Sequence, residues 1–335
     1  MTRENIMPRE LALEVARVTE VAALACSRWW GKGDKIAADE AAVTAMRAMF
    51  DSVNVDGVVV IGEGEMDEAP MLYIGEHVGK GGFPVDIAVD PLEGTNLVAK
   101  GMTGAITTLA MAPHGCLLHA PDMYMDKIAA GPKCKGKIHI DRSVTENVKA
   151  VAEALDKEVW DVTVVVLDRP RHQAIIDELR QCGARIRLIT DGDVSPAVAT
   201  GIDGSGVDLM IGIGGAPEGV LAAAALRSIG GEFMGRLCPE NEAERERAAE
   251  MLGGDPRRLL LMEDLVRAED VIFAASGVTD GELLKGVRFF GDVATTQTIV
   301  MRGETGTVRF IETQHRIDKK PERIKKIVEP QAPRR

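Results

Sequence analysis

The sequence predicts an α/β protein, and three observations carry that prediction. Beyond residue 145, short β-branched runs alternate with helical patterns, as in β-α-β units. Glycine is abundant (35 residues) and aromatics are scarce (4%), which suits many tight strand-to-helix turns. Three of the apolar runs end in charge or glycine, as the carboxyl ends of parallel strands do.

A chain of 335 residues holds one large or two ordinary domains. Hydrophobic content of 45% with 27% charged residues is that of a globular protein. The net charge of −12 argues against nucleic acid or an anionic membrane as partner. Five scattered cysteines (Cys26, Cys116, Cys134, Cys182 and Cys238), with no C-x-x-C pair, argue against a disulfide framework and a thiolate zinc site. The N-terminus lacks a signal-type apolar stretch, and no run approaches the ~20 apolar residues of a membrane span. A cytoplasmic protein is expected.

Taken in order, residues 9–30 read as an amphipathic helix, with Leu11, Val15, Val18, Ala22 and Leu24 among Glu and Arg. Trp29 and Trp30 read as packing residues. Gly31-Lys32-Gly33-Asp34-Lys35 interrupts the pattern, and a second helix is expected from near Asp39 to Phe50. From spacing alone Lys35 and Asp39 suggest a solvated lysine and a cap at that entrance. Residues 58–61 form a buried-type strand that runs into Gly62-Glu63-Gly64-Glu65-Met66-Asp67-Glu68. At ~4 Å two like charges repel by about 4 kcal/mol at an effective dielectric of ~20, so a bound cation would stabilise such an acidic turn. A dinucleotide fingerprint fails here, because its third glycine position is Asp67.

Residues 83–90 alternate apolar and polar and are expected to stop at Asp90-Pro91. Pro91 has no N–H for a ladder and biases Asp90 toward an extended conformation at a strand end. Glu93, Gly94 and Thr95 follow, giving a second carboxylate, a bare backbone and a hydroxyl. A strand is expected over 104–112, and residues 120–127 follow a turn. His114, His119 and His139 lack helical metal-pair spacing and read as surface or core residues.

In the second half, strand 163–167 ends in Asp168-Arg169-Pro170-Arg171-His172. A helix over 174–182 leads to strand 185–190, which ends in Asp191-Gly192-Asp193. Strand 208–213 runs into Gly214-Gly215-Ala216-Pro217-Glu218-Gly219 and a helix over 220–229. Residues 239–270 read as charged helices, 271–275 and 287–290 as strands, and 295–301 with 307–311 as a closing hairpin. The Lys/Arg-rich tail from Arg316 is expected to fray. The change of pattern near 145 suggests an N-terminal α+β lobe, 1–145, and a C-terminal α/β lobe, 146–335.

Asp39, Glu63, Asp90, Glu93 and Glu218 all fall at element ends, beside glycine-rich turns and arginines. Oxygen-only donors suit Mg²⁺ or Mn²⁺. The backbone at Gly214-Gly215 and the helix start after it suit a phosphate, and Arg169 with Arg171 suits a second anion. A phosphate among five carboxylates is repelled unless two or more cations stand between them. Acids plus a phosphate cradle therefore imply metal-assisted phosphoryl transfer. No Walker-type Gly-x-x-x-x-Gly-Lys-Ser/Thr occurs. A dinucleotide oxidoreductase is unsupported at the second glycine turn too, where Pro217 holds the third glycine position. A non-catalytic sugar-phosphate binder would be free to lose Thr95 or a carboxylate, and none is missing.

Asp90-Pro91-Leu92-Glu93-Gly94-Thr95 resembles the signature of the metal-dependent, lithium-sensitive sugar and inositol phosphatases. Further segments resemble one branch of them, the bacterial class II fructose-1,6-bisphosphatases, including the cyanobacterial type that also takes sedoheptulose 1,7-bisphosphate. These are Gly33-Asp34-Lys35…Ala38-Asp39, Val60-Ile61-Gly62-Glu63-Gly64-Glu65, Ala69-Pro70-Met71-Leu72-Tyr73, Ala120-Pro121-Asp122-Met123-Tyr124-Met125, Arg169-Pro170-Arg171-His172, Asp191-Gly192-Asp193 and Gly212-Ile213-Gly214-Gly215-Ala216-Pro217-Glu218. They span most of residues 10–310.

The resemblance implies a layered αβαβα sandwich assembled as a homo-oligomer. It implies hydrolysis of the 1-phosphate of fructose 1,6-bisphosphate, a step of gluconeogenesis, with two or more Mn²⁺ or Mg²⁺ ions per site. One metal would be held by Asp39 and Glu63, and a second by Asp90, Glu93 and Glu218. Substrate would contact Glu93, Gly94, Thr95, Tyr124, Arg169, Pro170, Arg171, Asp191, Gly192, Asp193 and Gly215. Lys35, Asp39 and Thr95 would be the catalytic group. Another sugar or inositol phosphatase is the alternative within the class, and both arginines with Asp191 and Asp193 favour a bisphosphate.

Overall fold

The structure is a computed structural model that describes residues 6–64 and 71–329. The acids Glu65, Asp67 and Glu68, and the Ala69-Pro70 start of one matched segment, lie outside the described residues.

Helices α1 (Leu11–Cys26) and α2 (Lys35–Phe50) lead into strands β1 (Val55–Ile61), β2 (His77–Val78) and β3 (Phe83–Glu93). Helix α3 (Thr95–Ala99) and strands β4 (Ile106–Pro113) and β5 (Tyr124–Ala130) follow. Helix α4 (Val144–Leu155), strand β6 (Thr163–Leu167), helix α5 (Gln173–Cys182) and strand β7 (Arg185–Ile189) come next. After α6 (Val194–Ala199) come β8 (Leu209–Gly215), α7 (Ala216–Ile229) and β9 (Glu232–Leu237). Helices α8 (Glu242–Leu252) and α9 (Met262–Leu265) precede β10 (Ile272–Gly277), β11 (Arg288–Phe290), β12 (Val293–Arg302), β13 (Thr307–Arg316) and α10 (Glu322–Val328).

The chain divides into two compact units, the first formed by residues 1–114, 272–302 and 308–335, the second by 115–271 and 303–307. This differs from the break at 145 expected from the pattern change. Strands β10 to β13 complete the first sheet, because β10 pairs antiparallel with β4 from Ile272↔Met111 to Gly277↔Ile106. Strand β5, from the expected first lobe, pairs with β8 and β9 in the second sheet.

The first unit is an eight-stranded mixed sheet ordered β11-β12-β10-β4-β3-β1-β2, with β13 paired to β12. Helix α1 packs on β10, β12 and β4. Contrary to the amphipathic reading, it is buried on nearly every side, Thr19 and Glu20 included. Its polar residues are satisfied within the unit. Thr19 Oγ1 lies 2.8 Å from Ser276 Oγ, and Thr313 Oγ1 donates to Glu20 at 2.6 Å. Trp29 is buried as expected, whereas Trp30 is half exposed and its Nε1 donates to the Met102 carbonyl at 3.2 Å.

The tail does not fray over its described length. Ile324 and Val328 of α10 are buried among the core side chains of this unit, and Arg28 Nε donates to Val328 O at 3.1 Å. The i, i+3, i+4 spacing of Ile324, Ile327 and Val328 gives the tail an apolar stripe that its basic composition hides. Burying the Ile324 and Val328 side chains contributes roughly 1.5–3 kcal/mol each.

The second unit is a five-stranded sheet ordered β7-β6-β8-β5-β9. Strand β6 runs parallel to β7 and β8, as the alternation implied, while β5 pairs antiparallel with β8 and β9. The period of two puts Val164 and Val166 in the cluster that includes α4 and α5, and Val165 against Ala199 of α6. Helices thus cover both sheet faces, and the fold is the layered α/β class expected. Strand β9 had no forecast: Glu232-Phe233-Met234-Gly235-Arg236-Leu237 lies between a glycine pair and a charged region, and its charged ends mask a short alternation.

Candidate active site

In the first unit, β1 and β3 are parallel neighbours, with Ile61 opposite Ala88, so both strands deliver their ends to the same edge of the sheet. Glu63 and Asp90 each lie two residues beyond that pair. Strand β3 does not stop at Asp90-Pro91 as expected. Its pairing with β4 shifts between Asp90↔Thr108 and Glu93↔Ile106, so the strand continues to Glu93 through an irregularity at the proline. A missing N–H is tolerated where a ladder is already interrupted. The Asp90 side chain closes over that break and accepts from Leu92 N–H at 3.1 Å.

Carboxylate oxygens of Asp90 and Glu93 lie within 4.8 Å of each other. Gly94 then turns the chain with φ of +92°, a conformation that favours glycine, and serves as the N-cap residue of α3. Thr95 is the first residue of that helix. Asp39 lies on α2, which begins at Lys35 rather than near Asp39, with Asp34 as its cap accepting from Ala37 N–H at 2.9 Å. Lys35 is the exposed first residue of α2. Asp39 and Glu63 are hydrogen-bonded side chain to side chain. Burial pushes the Asp39 carboxyl above its ordinary range, the Glu63 contact works against that rise, and Glu40 adds to it. Two carboxyl groups in contact need a shared proton or a cation, so this pair suits a hard divalent ion.

In the second unit the predicted residues collect at the ends of β6, β7 and β8 and at the start of β5. Arg171 donates from Nη2 to Ile213 O at 2.8 Å, and its guanidinium stacks over the Tyr124 ring, 4.6 Å from the centroid. Arg169 donates to Asp168 O at 3.0 Å and to Thr190 O at 2.7 Å. Pro170 opens a short 3-10 turn between the two arginines. Asp191 and Gly192 are half-buried. Asp193, forecast as a substrate contact, is 7% exposed and accepts from Lys127 Nζ at 2.6 Å. Gly215 ends β8, and Glu218 occupies the first turn of α7, its carboxylate folded back over Gly215 so that a Cβ there would strike Glu218 Oε2.

Glu218 Oε2 is buried and has no hydrogen-bond partner among the described residues. Burial pushes this carboxyl up most strongly; Lys127 opposes the rise, and Asp193 and Asp122 add to it. An orphaned buried carboxylate oxygen is the donor a cation would satisfy, and a carboxylate oxygen suits a hard divalent ion.

Two residues were missed from the sequence. Lys127 is fully buried on β5 and donates to Gly215 O at 2.9 Å. Its only signal was an Asp126-Lys127 pair between Met125 and the apolar Ile128-Ala129-Ala130. His172 is fully buried too: its Nε2 accepts from Ile213 N–H at 2.8 Å, which makes Nδ1 the donor to Leu167 O at 2.6 Å. Burial holds its pKa below the usual histidine value. The neutral ring ties the ends of β6 and β8 together between the two arginines and the glycine turn.

The first unit collects carboxylates at a sheet edge, and the second collects guanidiniums and a glycine turn at strand ends, groups suited to an α/β phosphatase. A family model for the bacterial, glpX-encoded fructose-1,6-bisphosphatases matches residues 9–315. The chain is 48% identical over 337 residues to the D-fructose 1,6-bisphosphatase class 2/sedoheptulose 1,7-bisphosphatase of Synechococcus sp. (strain JA-2-3B'a(2-13)), a match covering 93% of this chain and 97% of that relative. It is 47% identical over 327 residues to the fructose-1,6-bisphosphatase 1 class 2 of Escherichia coli (strain K12), covering 94% of this chain and 97% of the relative. The chain belongs to the bacterial class II fructose-1,6-bisphosphatase family.

Proposed function

We propose that this chain hydrolyses the 1-phosphate of fructose 1,6-bisphosphate, yielding fructose 6-phosphate and inorganic phosphate, as a gluconeogenic enzyme of the cytoplasm working as a homo-oligomer. The observation that carries this reading is the set of paired carboxylates, Asp39 on α2 with Glu63 just after β1 and Asp90 with Glu93 at the end of β3, in a chain whose second sheet offers paired arginines. Asp39 and Glu63 would hold one divalent cation, and Asp90, Glu93 and Glu218 a second. Bound Mn²⁺ or Mg²⁺ would supply the positive charge that lets a phosphate approach these acids and that polarises the attacking water.

The chain's own residues do the rest. The Thr95 hydroxyl, at the start of α3 after the Gly94 turn, orients the water in line with the sugar–phosphate bond. As the water oxygen bonds to phosphorus, the phosphorus–O1 bond breaks and O1 takes up a proton. Lys35 lies four residues before Asp39 on α2, and its ammonium offsets charge on the phosphate. Arg169 and Arg171 each keep donors beyond their carbonyl contacts and clamp the distal phosphate. Asp191 and the Tyr124 hydroxyl bind the sugar, with Glu93, Gly94, Pro170, Gly192 and Gly215 forming the surrounding surface. Asp193 acts from beneath, through Lys127.

Sedoheptulose 1,7-bisphosphate is the second reading, favoured by the name of the Synechococcus relative. Phosphate release from a panel of fructose, sedoheptulose and inositol phosphates, with each metal in turn, tests both. Fructose 1,6-bisphosphate should be among the best substrates; preference for an inositol monophosphate would overturn the proposal.

A further inference from the structure

The glycines of Gly212-Ile213-Gly214-Gly215-Ala216-Pro217-Glu218-Gly219 read in the sequence as room for a phosphate. The structure gives several of them a different occupant. A Cβ on Gly214 would collide with Asp193 Oδ2 and stand 2.9 Å from Lys127 Nζ. One on Gly219 would stand 2.8 Å from Met125 Sδ and 3.3 Å from Lys127 Cδ. One on Gly212 would stand 3.1 Å from the His172 ring. Each of these glycines is a socket for a side chain pressed against the backbone, and two of the sockets admit the stem and head of Lys127.

Lys127 starts opposite Gly212 on the neighbouring strand, and its ammonium reaches the end of β8. There it donates to Asp193 at 2.6 Å and to Gly215 O at 2.9 Å. Arg171 grips the preceding carbonyl on the same edge of the strand, Ile213 O. The end of β8 is therefore held at alternate carbonyls by two cations, one buried and one at the surface. A fully buried ammonium is costly to desolvate, and a lone ion pair offsets that cost poorly.

We propose that Lys127 is a positioning residue for substrate binding: it fixes the β8–α7 turn, so that Gly215 and Arg171 meet the sugar bisphosphate already in place. It touches no substrate, and its effect falls on binding rather than on the chemical step. This inference rests on the functional reading above.

The test uses Lys127→Met and the double variant Lys127→Met/Asp193→Asn in the full-length protein. The single variant strands a buried carboxylate, so it should lose melting temperature. The double variant removes one charge of each sign, which restores stability and leaves the field at Glu218 nearly unchanged. Its KM for fructose 1,6-bisphosphate should still be raised about tenfold, the effect of one lost hydrogen bond's worth of ordering. Its kcat should stay within about threefold, as for an interaction made equally in ground and transition states. Amide exchange at residues 212–215 should quicken about tenfold while the rest of the sheet is unaffected.

Native exchange and native KM in a double variant with restored melting temperature would overturn the proposal and leave Lys127 as a purely structural ion pair. If native protein releases no phosphate from any bisphosphate, the functional reading fails, and the exchange result still decides the role of Lys127. Should the double variant not fold, Gly214→Ala fills the socket with both charges kept, and it must reproduce the exchange and KM changes or the proposal falls.

Discussion

Replacing Glu218 by Gln removes the charge from a carboxylate that has a buried oxygen without a hydrogen-bond partner among the described residues. The side chain keeps its shape, and without metal the variant should be no less stable than native, since an unpaired buried carboxylate costs roughly 1–3 kcal/mol. The loss should emerge only with metal. At a cation concentration about 100 times the native Kd, binding stabilises the folded chain by about 2.7 kcal/mol. Weakening the site about 100-fold, the upper end of what supporting groups around a metal contribute, leaves about 0.4 kcal/mol at the same concentration. At about 2 °C for each kcal/mol, the metal-induced rise in Tm should shrink by about 5 °C. Thermal melts of native and variant protein with EDTA, Mg²⁺ and Mn²⁺ read this directly, alongside kcat. If the variant keeps the full metal-induced shift and the native rate, Glu218 only favours its helix N-terminus, worth about 0.3–1 kcal/mol, and is no metal ligand.

Three further outcomes are expected. Arg171→Ala should raise KM for fructose 1,6-bisphosphate while leaving most of kcat, because the distal phosphate does not react; equal KM in steady-state assays would assign the arginine to its Tyr124 and Ile213 contacts alone. Thr95→Ser should keep most of the rate and Thr95→Val should lose about 10²–10⁴ in kcat with little change in Tm, as for a group that positions a proton-bearing reactant; a valine variant of near-native kcat would remove Thr95 from the chemistry. Burial, helped by Lys320, holds His315 at a pKa of about 4, below its ordinary 6.5. The unfolded chain therefore takes up that proton first, so stability is complete above about pH 6.5 and falls as pH drops toward 4, by about 2 kcal/mol at pH 5. His315→Gln should flatten that dependence in urea melts at pH 5 and 8, and an unchanged slope would show that other groups set it.

Much of the site was legible because its chemistry is local. Asp90 to Thr95 fall within one strand end and one turn, so spacing alone revealed two acids, a forced glycine and a hydroxyl. Strands β6 and β8 were legible for the same reason, each a short apolar run, Val164-Val165-Val166-Leu167 or Leu209-Met210-Ile211, that leads into charge or glycine. Lys127 was not, because a buried lysine has no signature in its own strand: its partners lie 66 and 88 residues away, at Asp193 and Gly215. His172 was hidden likewise, since only the fold brings Ile213 to its ring. The tail misled in the opposite direction. Its basic residues suggested solvent, while three apolar positions at helical spacing dock it on the first unit. The lobe boundary was misplaced because β5 pairs with β8 and β9, and β10 with β4, across long stretches of chain, and pairing over such distances leaves no mark on composition.

In the proposed function the acids serve a divalent cation on which sugar-phosphate hydrolysis depends. Phosphate release from fructose 1,6-bisphosphate, measured on protein stripped of metal and verified metal-free, tests it most directly. Turnover should be abolished and then restored by Mn²⁺ or Mg²⁺. Full activity in the verified metal-free sample would contradict the account.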